Sequence, residues 1–223
     1  NSDIKSSGSG GDTYMEMNMK TEGENISMNM LQKIYISHSG KARVEMYTVN
    51  NGKASLMMVG LSDAKNPAQS TLIDDSAKTY SINKIDTASG NDMLDQHTKY
   101  TVSKIGNETI QGLNCVHAQI IKTMNFSGVQ SFMNSSDTTD VWMTKDIPMP
   151  SGIEKQFSKG MGIAYNNDVA GQLIQMGCTG FPVKFLDRGK DSKVNSQLTK
   201  ISHDNFPESM FEVPSGYKET QGF

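Results

Sequence analysis

The most informative feature of the sequence is an alternation of apolar and polar residues with a period of two, which is typical of β-strands. Residues 13–36 show this alternation twice, on either side of a turn-like Thr-Glu-Gly-Glu sequence at 21–24. The apolar positions that share one face are mostly methionine: Met15, Met17, Met19, Ile26, Met28 and Met30. We therefore predict an antiparallel hairpin with one methionine-rich face.

The same period recurs along the chain and predicts a series of further strands. They are residues 41–49, 54–60, 70–74, 78–84, 99–105, 115–122, 138–145, 181–188 and 193–203. In the first of them Ala42, Val44 and Met46 share a face. Asn51-Gly52 predicts a tight hairpin turn, because both positions suit φ > 0. Gly106-Asn107 predicts another turn.

Between residues 151 and 176 the period changes to that of amphipathic helices. Ser151 and Glu154 have the spacing of a capping box, and apolar residues follow at helical intervals: Ile153, Phe157 and Met161. A second helix is predicted for residues 168–176, with Val169 and Leu173 on one face and a stop at Gly177. Strands, then two short helices, then two strands indicate a mainly β (α+β) fold with an antiparallel sheet and helices on one side.

Length and composition restrict the classes of function. A chain of 223 residues without an internal linker favours a single domain, predicted to span residues 13–223. The net charge is -3 and the charges are scattered, which argues against a nucleic-acid partner. The sequence lacks the run of about 18 apolar residues that a transmembrane helix needs.

Residues 1–12 form a Ser/Gly/Asp-rich segment without a starting methionine or an apolar stretch. We interpret them as a flexible tether. This composition fits a chain from which an export signal has been removed, and it equally fits a disordered tail or an arbitrary boundary.

Several segments resemble a bacterial cell-envelope family of unknown function, in the superfamily of the periplasmic lipoprotein carrier LolA. They are LIDD and KTYSINK at 72–84, KIGNETIQGLNC at 104–115, VWMTKDIP at 141–148, GFPVKF at 180–185 and MFEVPSGYK at 210–218. Each segment alone is weak, and their order and spacing carry the resemblance. It covers most of residues 14–218.

The resemblance implies a strongly curved antiparallel sheet, forming an unclosed half-barrel whose concave side is covered by the helices and encloses an apolar cavity for acyl chains. We also expect a monomer in the periplasm or on the cell surface of a Gram-negative bacterium. Lipid anchoring through a removed N-terminal segment is an open alternative. Residues 1–12 lack the amphipathic helix with which the carriers begin, so a tethered domain fits better than a shuttle.

The sequence contains 16 methionines, and methionine suits adaptable apolar surfaces. The residues predicted to line a ligand cavity are Met15, Met17, Met19, Met28, Met30, Met46, Ile153, Phe157 and Leu173. The competing interpretation is that these side chains fill a packed core. Thioethers also bind Cu(I), but residues two apart on a strand are about 7 Å apart, so only cross-strand pairs such as Met17 with Met28 would converge.

Cys115 and Cys178 are the only cysteines. In an exported protein this even number predicts a disulfide, and two separate buried thiols are the alternative. The pair Cys115 and His117 is too small a set of ligands for a metal site.

The sequence contains no Gly-x-Ser-x-Gly, His-Glu-x-x-His, P-loop or Gly-x-Gly-x-x-Gly motif, and we expect no enzyme activity and no cofactor. Asp74 and Asp75 are more typical of a turn cap than of a catalytic pair. Two hypotheses remain: a domain that binds a hydrophobic ligand between sheet and helices, and a fully packed domain whose polar face contacts another envelope protein. Arg43, Glu45 and Tyr47 lie on that polar face.

Overall fold

The computed structural model describes residues 11–24, 26–84, 97–128, 134–149 and 167–221. The strands are β1 (Asp12–Gly23), β2 (Ser27–Ile36), β3 (Lys41–Asn50), β4 (Lys53–Asp63), β5 (Gln69–Asp74), β6 (Thr79–Lys84), β7 (Thr98–Ile110), β8 (Leu113–Met124), β9 (Ser135–Thr144), β10 (Phe181–Arg188), β11 (Ser192–Asp204) and β12 (Lys218–Glu219). Helix α1 (Asn167–Gln175) precedes β10, and a 3-10 helix, Glu208–Phe211, follows β11.

The strands form one 12-stranded sheet in the order β12-β6-β5-β4-β3-β2-β1-β11-β10-β9-β8-β7. Neighbours are antiparallel except for β12, which pairs with β6 in parallel. In the described part of the chain the edge strands β7 and β12 are not joined, so the sheet is unclosed. The predicted class, a mainly β fold with a curved, unclosed antiparallel sheet, is confirmed.

The hairpin of β10 and β11 joins the two halves of the sheet. β11 pairs with β1 from Asp12 opposite Asp204 to Gly23 opposite Ser192, and β10 pairs with β9. The last long strands of the sequence therefore lie beside the first. Asp12 belongs to β1 and is buried, so the sheet begins before the predicted end of the tether. Residues 1–10 of that tether lie outside the described residues.

Of two hairpin turns predicted from the sequence pattern, one was located correctly and one was not. Asn51 and Gly52 have φ of 51° and 75°, as predicted for a tight turn. The turn predicted at Gly106-Asn107 is wrong, because β7 continues to Ile110 and the chain turns at Gln111 and Gly112. Gly106 instead lies at a register shift in the β7–β8 ladder, a bulge that a glycine accommodates easily.

Helix α1 ends as its sequence predicts. Gly177 has a φ of 72°, and its N–H donates to the carbonyl of Ile174 at 3.0 Å. The N–H of Cys178 donates to the carbonyl of Leu173 at 2.9 Å. These two bonds form a Schellman motif, which satisfies carbonyls at the helix end. The other predicted helix, residues 151–161, lies outside the described residues.

The C-terminal segment packs along one side of β3–β6. Val213 and Tyr217 contact a buried cluster of Val59, Leu61 and Ile73. The Arg43 guanidinium donates to the carbonyl of Met210 at 3.2 Å. This segment therefore covers the sheet face that carries Arg43 and Glu45.

Candidate functional site

One face of the sheet carries a row of six residues, five of them apolar, across six strands. Residues directly opposite each other in a ladder share a face, so the row follows from the pairing register. In order from β2 to β8 the row is Met30, Met19, Ser196, Phe185, Val141 and Ala118. We call this side of the sheet the methionine face.

Two further rows of the methionine face run parallel to the first. One contains Met15, Ile34 and Val44, and the other contains Met17, Gln32, Met46 and Met58. The predicted shared face of Met15, Met17, Met19, Met28, Met30 and Met46 therefore agrees with the register. Whether these residues line a ligand cavity stays a prediction.

Burial changes steadily along this face. Met15 and Met17 have 0% exposure, within a cluster that includes Ile34, Leu198 and Phe181. Met19, Met30 and Met46 are half-buried, and Met28 is 40% exposed near the β1–β2 turn. The methionine face thus has a packed end and an open end.

Helix α1 covers the other half of the same face. Its buried residues Val169 and Leu173 belong to a cluster with Phe185, Val141 and Ala118, which are members of the six-strand row. Leu173 therefore packs in a different cluster from Met15 and Met17. Ile153 and Phe157, also predicted for the cavity, lie outside the described residues.

Polar side chains also lie on the methionine face, and the sequence analysis missed two of them, Gln32 and Ser196. Gln32 is half-buried opposite Met17 and Met46. Ser196 has 0% exposure and lies opposite Met19 and Phe185. The signal was present in the alternation of β11, where Ser196 takes the position between Val194 and Leu198.

The register does not bring Met17 and Met28 together as predicted. Met28 lies opposite Thr21, because the β1–β2 turn is tight and pairs Glu22 with Ser27. Met19 and Met30 are the directly opposed thioethers of this hairpin. The chain segments described here hold no group of three His, Cys, Asp or Glu side chains arranged for a metal ion.

The predicted disulfide between Cys115 and Cys178 is absent, and both residues are buried free thiols. The Cys115 thiol donates to the carbonyl of Leu113 at 3.4 Å, and the Cys178 thiol to that of Val116 at 3.6 Å. Cys178 packs with Ala118 of β8. Cys115 is three residues before Ala118 on the same strand, so its side chain points to the opposite side of β8. Strand β8 therefore separates the two sulfur atoms.

The face opposite the methionines carries polar networks whose members pair with one another. The Tyr14 hydroxyl donates to Glu16 at 2.6 Å, and the Tyr47 hydroxyl donates to Glu45 at the same distance. Burial and the hydrogen bond to Glu45 raise the pKa of Tyr47. Arg43 donates to Glu45 at 2.8 Å. Arg43, Glu45 and Tyr47, for which we predicted a contact with another protein, are therefore already hydrogen-bonded to one another.

A second network on this side surrounds His117. Its Nδ1 atom lies 3.0 Å from a Glu108 oxygen, and its Nε2 atom lies 3.1 Å from an Asp140 oxygen. Arg188 donates to the second oxygen of Asp140 at 2.5 Å. Burial would raise the pKa of Asp140, but the hydrogen bonds from Arg188, His117 and Gln119 outweigh it and lower that pKa.

Two open grooves are lined mainly by polar residue types. The larger, of about 510 Å³, is bounded by residues that include Asp137, Asp187 and Lys190. The smaller, of about 360 Å³, is bounded by Asn107, Glu108, Asn114 and Cys115 among others. No described helix is both long enough and apolar enough to cross a membrane.

A family model described as a domain of unknown function (DUF4412) matches residues 14–217. None of the curated proteins matches the sequence significantly.

Solved structures similar to the chain include the Mycobacterium tuberculosis lipoprotein LppX, at 12% identity and a TM-score of 0.35, covering 84% of this chain and 85% of that one. A LolA superfamily protein from Nitrosomonas europaea has 7% identity, a TM-score of 0.38 and coverages of 91% and 90%. MucB in the Pseudomonas aeruginosa MucA/MucB complex has 10% identity and a TM-score of 0.42, covering 92% of this chain and 56% of that one.

Proposed function

Since the chain belongs to the DUF4412 family, whose description names no activity, we propose a function from its own residues. The protein is a non-enzymatic domain of the bacterial cell envelope that binds a hydrophobic ligand, a lipid or an acyl chain, along the methionine face. The observation that carries this proposal is the apolar row that begins at the half-buried Met30 and Met19 and continues beneath α1.

The open end of this face is suited to a flexible apolar ligand. Met19, Met30 and Met46 leave apolar surface in contact with solvent, and methionine side chains adapt to irregular shapes. Each methylene that a ligand buries contributes about 0.8 kcal/mol. Two more methylenes should therefore tighten the dissociation constant about ten-fold, until the ligand fills the face.

The polar clusters support a role without catalysis. Both ring nitrogens of His117 face carboxylates. Asp74 accepts hydrogen bonds from the backbone N–H groups of Ser76 and Ala77, which is the predicted turn cap. These groups are used in stabilising the fold.

The sequence resemblance supports a location in the cell envelope. A periplasmic or surface-exposed domain, attached through the segment that precedes β1, would meet lipids or acylated proteins without spanning the membrane. The partner of the methionine face is then the hydrophobic ligand itself, and a second envelope protein would supply or receive it.

Lipid analysis and probe binding test the proposal together. Protein purified under native conditions is extracted with organic solvent and the extract analysed by mass spectrometry. The delipidated protein is then titrated with N-phenyl-1-naphthylamine, and fatty-acid esters of increasing chain length compete with this probe. We expect bound lipid, probe fluorescence and an affinity that rises with chain length.

A pair of variants on β2 locates the binding. Met30→Glu places a carboxylate on the open methionine face, whereas Asn29→Glu places the same group on the opposite, exposed side of the neighbouring position. Met30→Glu should abolish probe binding without unfolding the protein, and Asn29→Glu should bind as the wild type does. If no lipid is extracted and the probe does not bind the wild type, the proposal fails and a fully packed interaction domain remains.

A further inference from the structure

Ser196 occupies the middle of the apolar row that the proposed ligand would follow. It lies between Met19 of β1 and Phe185 of β10, at the point where the open methionine half meets the half covered by α1. Its neighbours along β11 on the same face are Val194 and Leu198. The hydroxyl therefore faces apolar side chains on four sides.

The Ser196 hydroxyl is fully buried and has no hydrogen-bond partner among the described residues. Most buried polar atoms in folded proteins have a partner, and an unpartnered one destabilises the fold. An alanine or valine would fill this position at lower cost. A hydroxyl that has no partner among the described residues, on the face proposed to hold the ligand, is available for a hydrogen bond to that ligand.

We infer that Ser196 selects a ligand that carries a neutral carbonyl oxygen, as an ester or amide of a fatty acid does. This inference rests on the proposed function. The serine O–H donates to the carbonyl, while the alkyl chain extends along the methionines. Met19, Phe185, Val194 and Leu198 carry no charge, so an ionised carboxylate at this position would be buried without a counter-ion, which is unfavourable.

Competition between matched ligands tests this inference. Methyl dodecanoate, dodecanoic acid at neutral pH and tridecane compete with N-phenyl-1-naphthylamine for the delipidated protein. In the wild type we expect the ester to bind about 2- to 10-fold more tightly than the hydrocarbon, the range expected for one hydrogen bond. The ionised acid should bind more weakly than the ester.

Ser196→Ala should remove the preference for the ester and leave the affinity for tridecane unchanged. Thr48→Val is the matched control, because Thr48 is a half-buried polar residue on the same face, opposite Met30. This control should keep the preference. In the absence of ligand, Ser196→Ala should have an unchanged or higher denaturation midpoint, since the hydroxyl that it removes has no partner in the described part of the chain.

The outcomes separate the two proposals. If Ser196→Ala retains the wild-type preference for the ester, the role of Ser196 is wrong while ligand binding stands. A marked loss of stability in ligand-free Ser196→Ala also overturns it, because the hydroxyl must then have a partner within the protein. If the wild type binds neither the probe nor any competitor, the proposed function fails and the inference fails with it.

Discussion

His117 stacks on Trp142, with ring centroids 3.9 Å apart and planes inclined by 16°. Lys184 lies over the same indole ring, 4.2 Å from its centroid. Since each ring nitrogen of His117 faces a carboxylate oxygen, the imidazole and Asp140 hold each other in place across β8 and β9. The only tryptophan of the chain therefore reports directly on this network.

Replacing Asp140 should weaken the fold and change its response to acid. The Asp140 side chain is 6% exposed and receives hydrogen bonds from His117, Gln119 and Arg188. Asp140→Asn should lower the free energy of unfolding by about 1–3 kcal/mol at neutral pH, the usual cost of a lost buried charged hydrogen bond. Urea denaturation followed by tryptophan fluorescence measures this change.

The lowered pKa of Asp140 determines how the stability of the protein should change with pH. The pKa of Asp140 is lower in the folded protein than its ordinary value, so its contribution to stability is complete above the unfolded pKa of about 3.9. That contribution is lost as the pH falls through the folded pKa. The wild type should lose stability below about pH 4, and Asp140→Asn should lose less. Asp191→Asn, an exposed control, should behave as the wild type does; an equal acid response in all three proteins would contradict the prediction.

Met17 and Met28 should differ in their contribution to stability because one is buried and the other is 40% exposed. Met17→Ala should destabilise the protein by about 2–5 kcal/mol through the loss of buried contacts and the cavity left behind. Met28→Ala should change stability by about 0.5 kcal/mol or less. Chemical denaturation of both variants measures the difference, and equal costs would mean that the face has no packed end.

Met17→Glu tests the direction of the side chain. A buried carboxylate without a partner is strongly unfavourable, so this variant should unfold at much lower denaturant than the wild type. A midpoint equal to that of the wild type would show that Met17 faces solvent. The methionine face, and the ligand proposed to bind there, would then be excluded together.

The alternation of residues predicted most of the sheet because one buried face imposes a period of two. It placed Met15 and Met17 on that face and located the Asn51-Gly52 turn from residues that tolerate φ > 0. The pattern failed at Gly106, since a glycine marks a bulge as readily as a turn and only the pairing with β8 distinguishes the two.

The site was less predictable because it depends on neighbours that are distant in the sequence. Pairing of β11 with β1 brings Ser196 beside Met19, and local alternation contains no information about that pairing. The network of His117, Asp140 and Arg188 joins three strands for the same reason. The sequence showed which residues share a face of one strand but not which strands are adjacent.

Cys115 and Cys178 should remain reduced even if the protein resides in an oxidising compartment. Burial raises the pKa of Cys178 to about 11 and also raises the pKa of Cys115, so little of the reactive thiolate forms near neutral pH. Titration with Ellman's reagent should detect almost no reaction in the native protein. In guanidinium chloride without reductant, it should detect both thiols.

Single substitutions provide the control. Cys115→Ala and Cys178→Ala should each leave one thiol that reacts only after denaturation. A disulfide in the wild type would give no reactive thiol in denaturant, while each variant would still give one. That result would require the two sulfur atoms to meet despite the strand between them, and it would overturn the register that places Cys115 on one side of β8 and the cluster of Cys178 on the other.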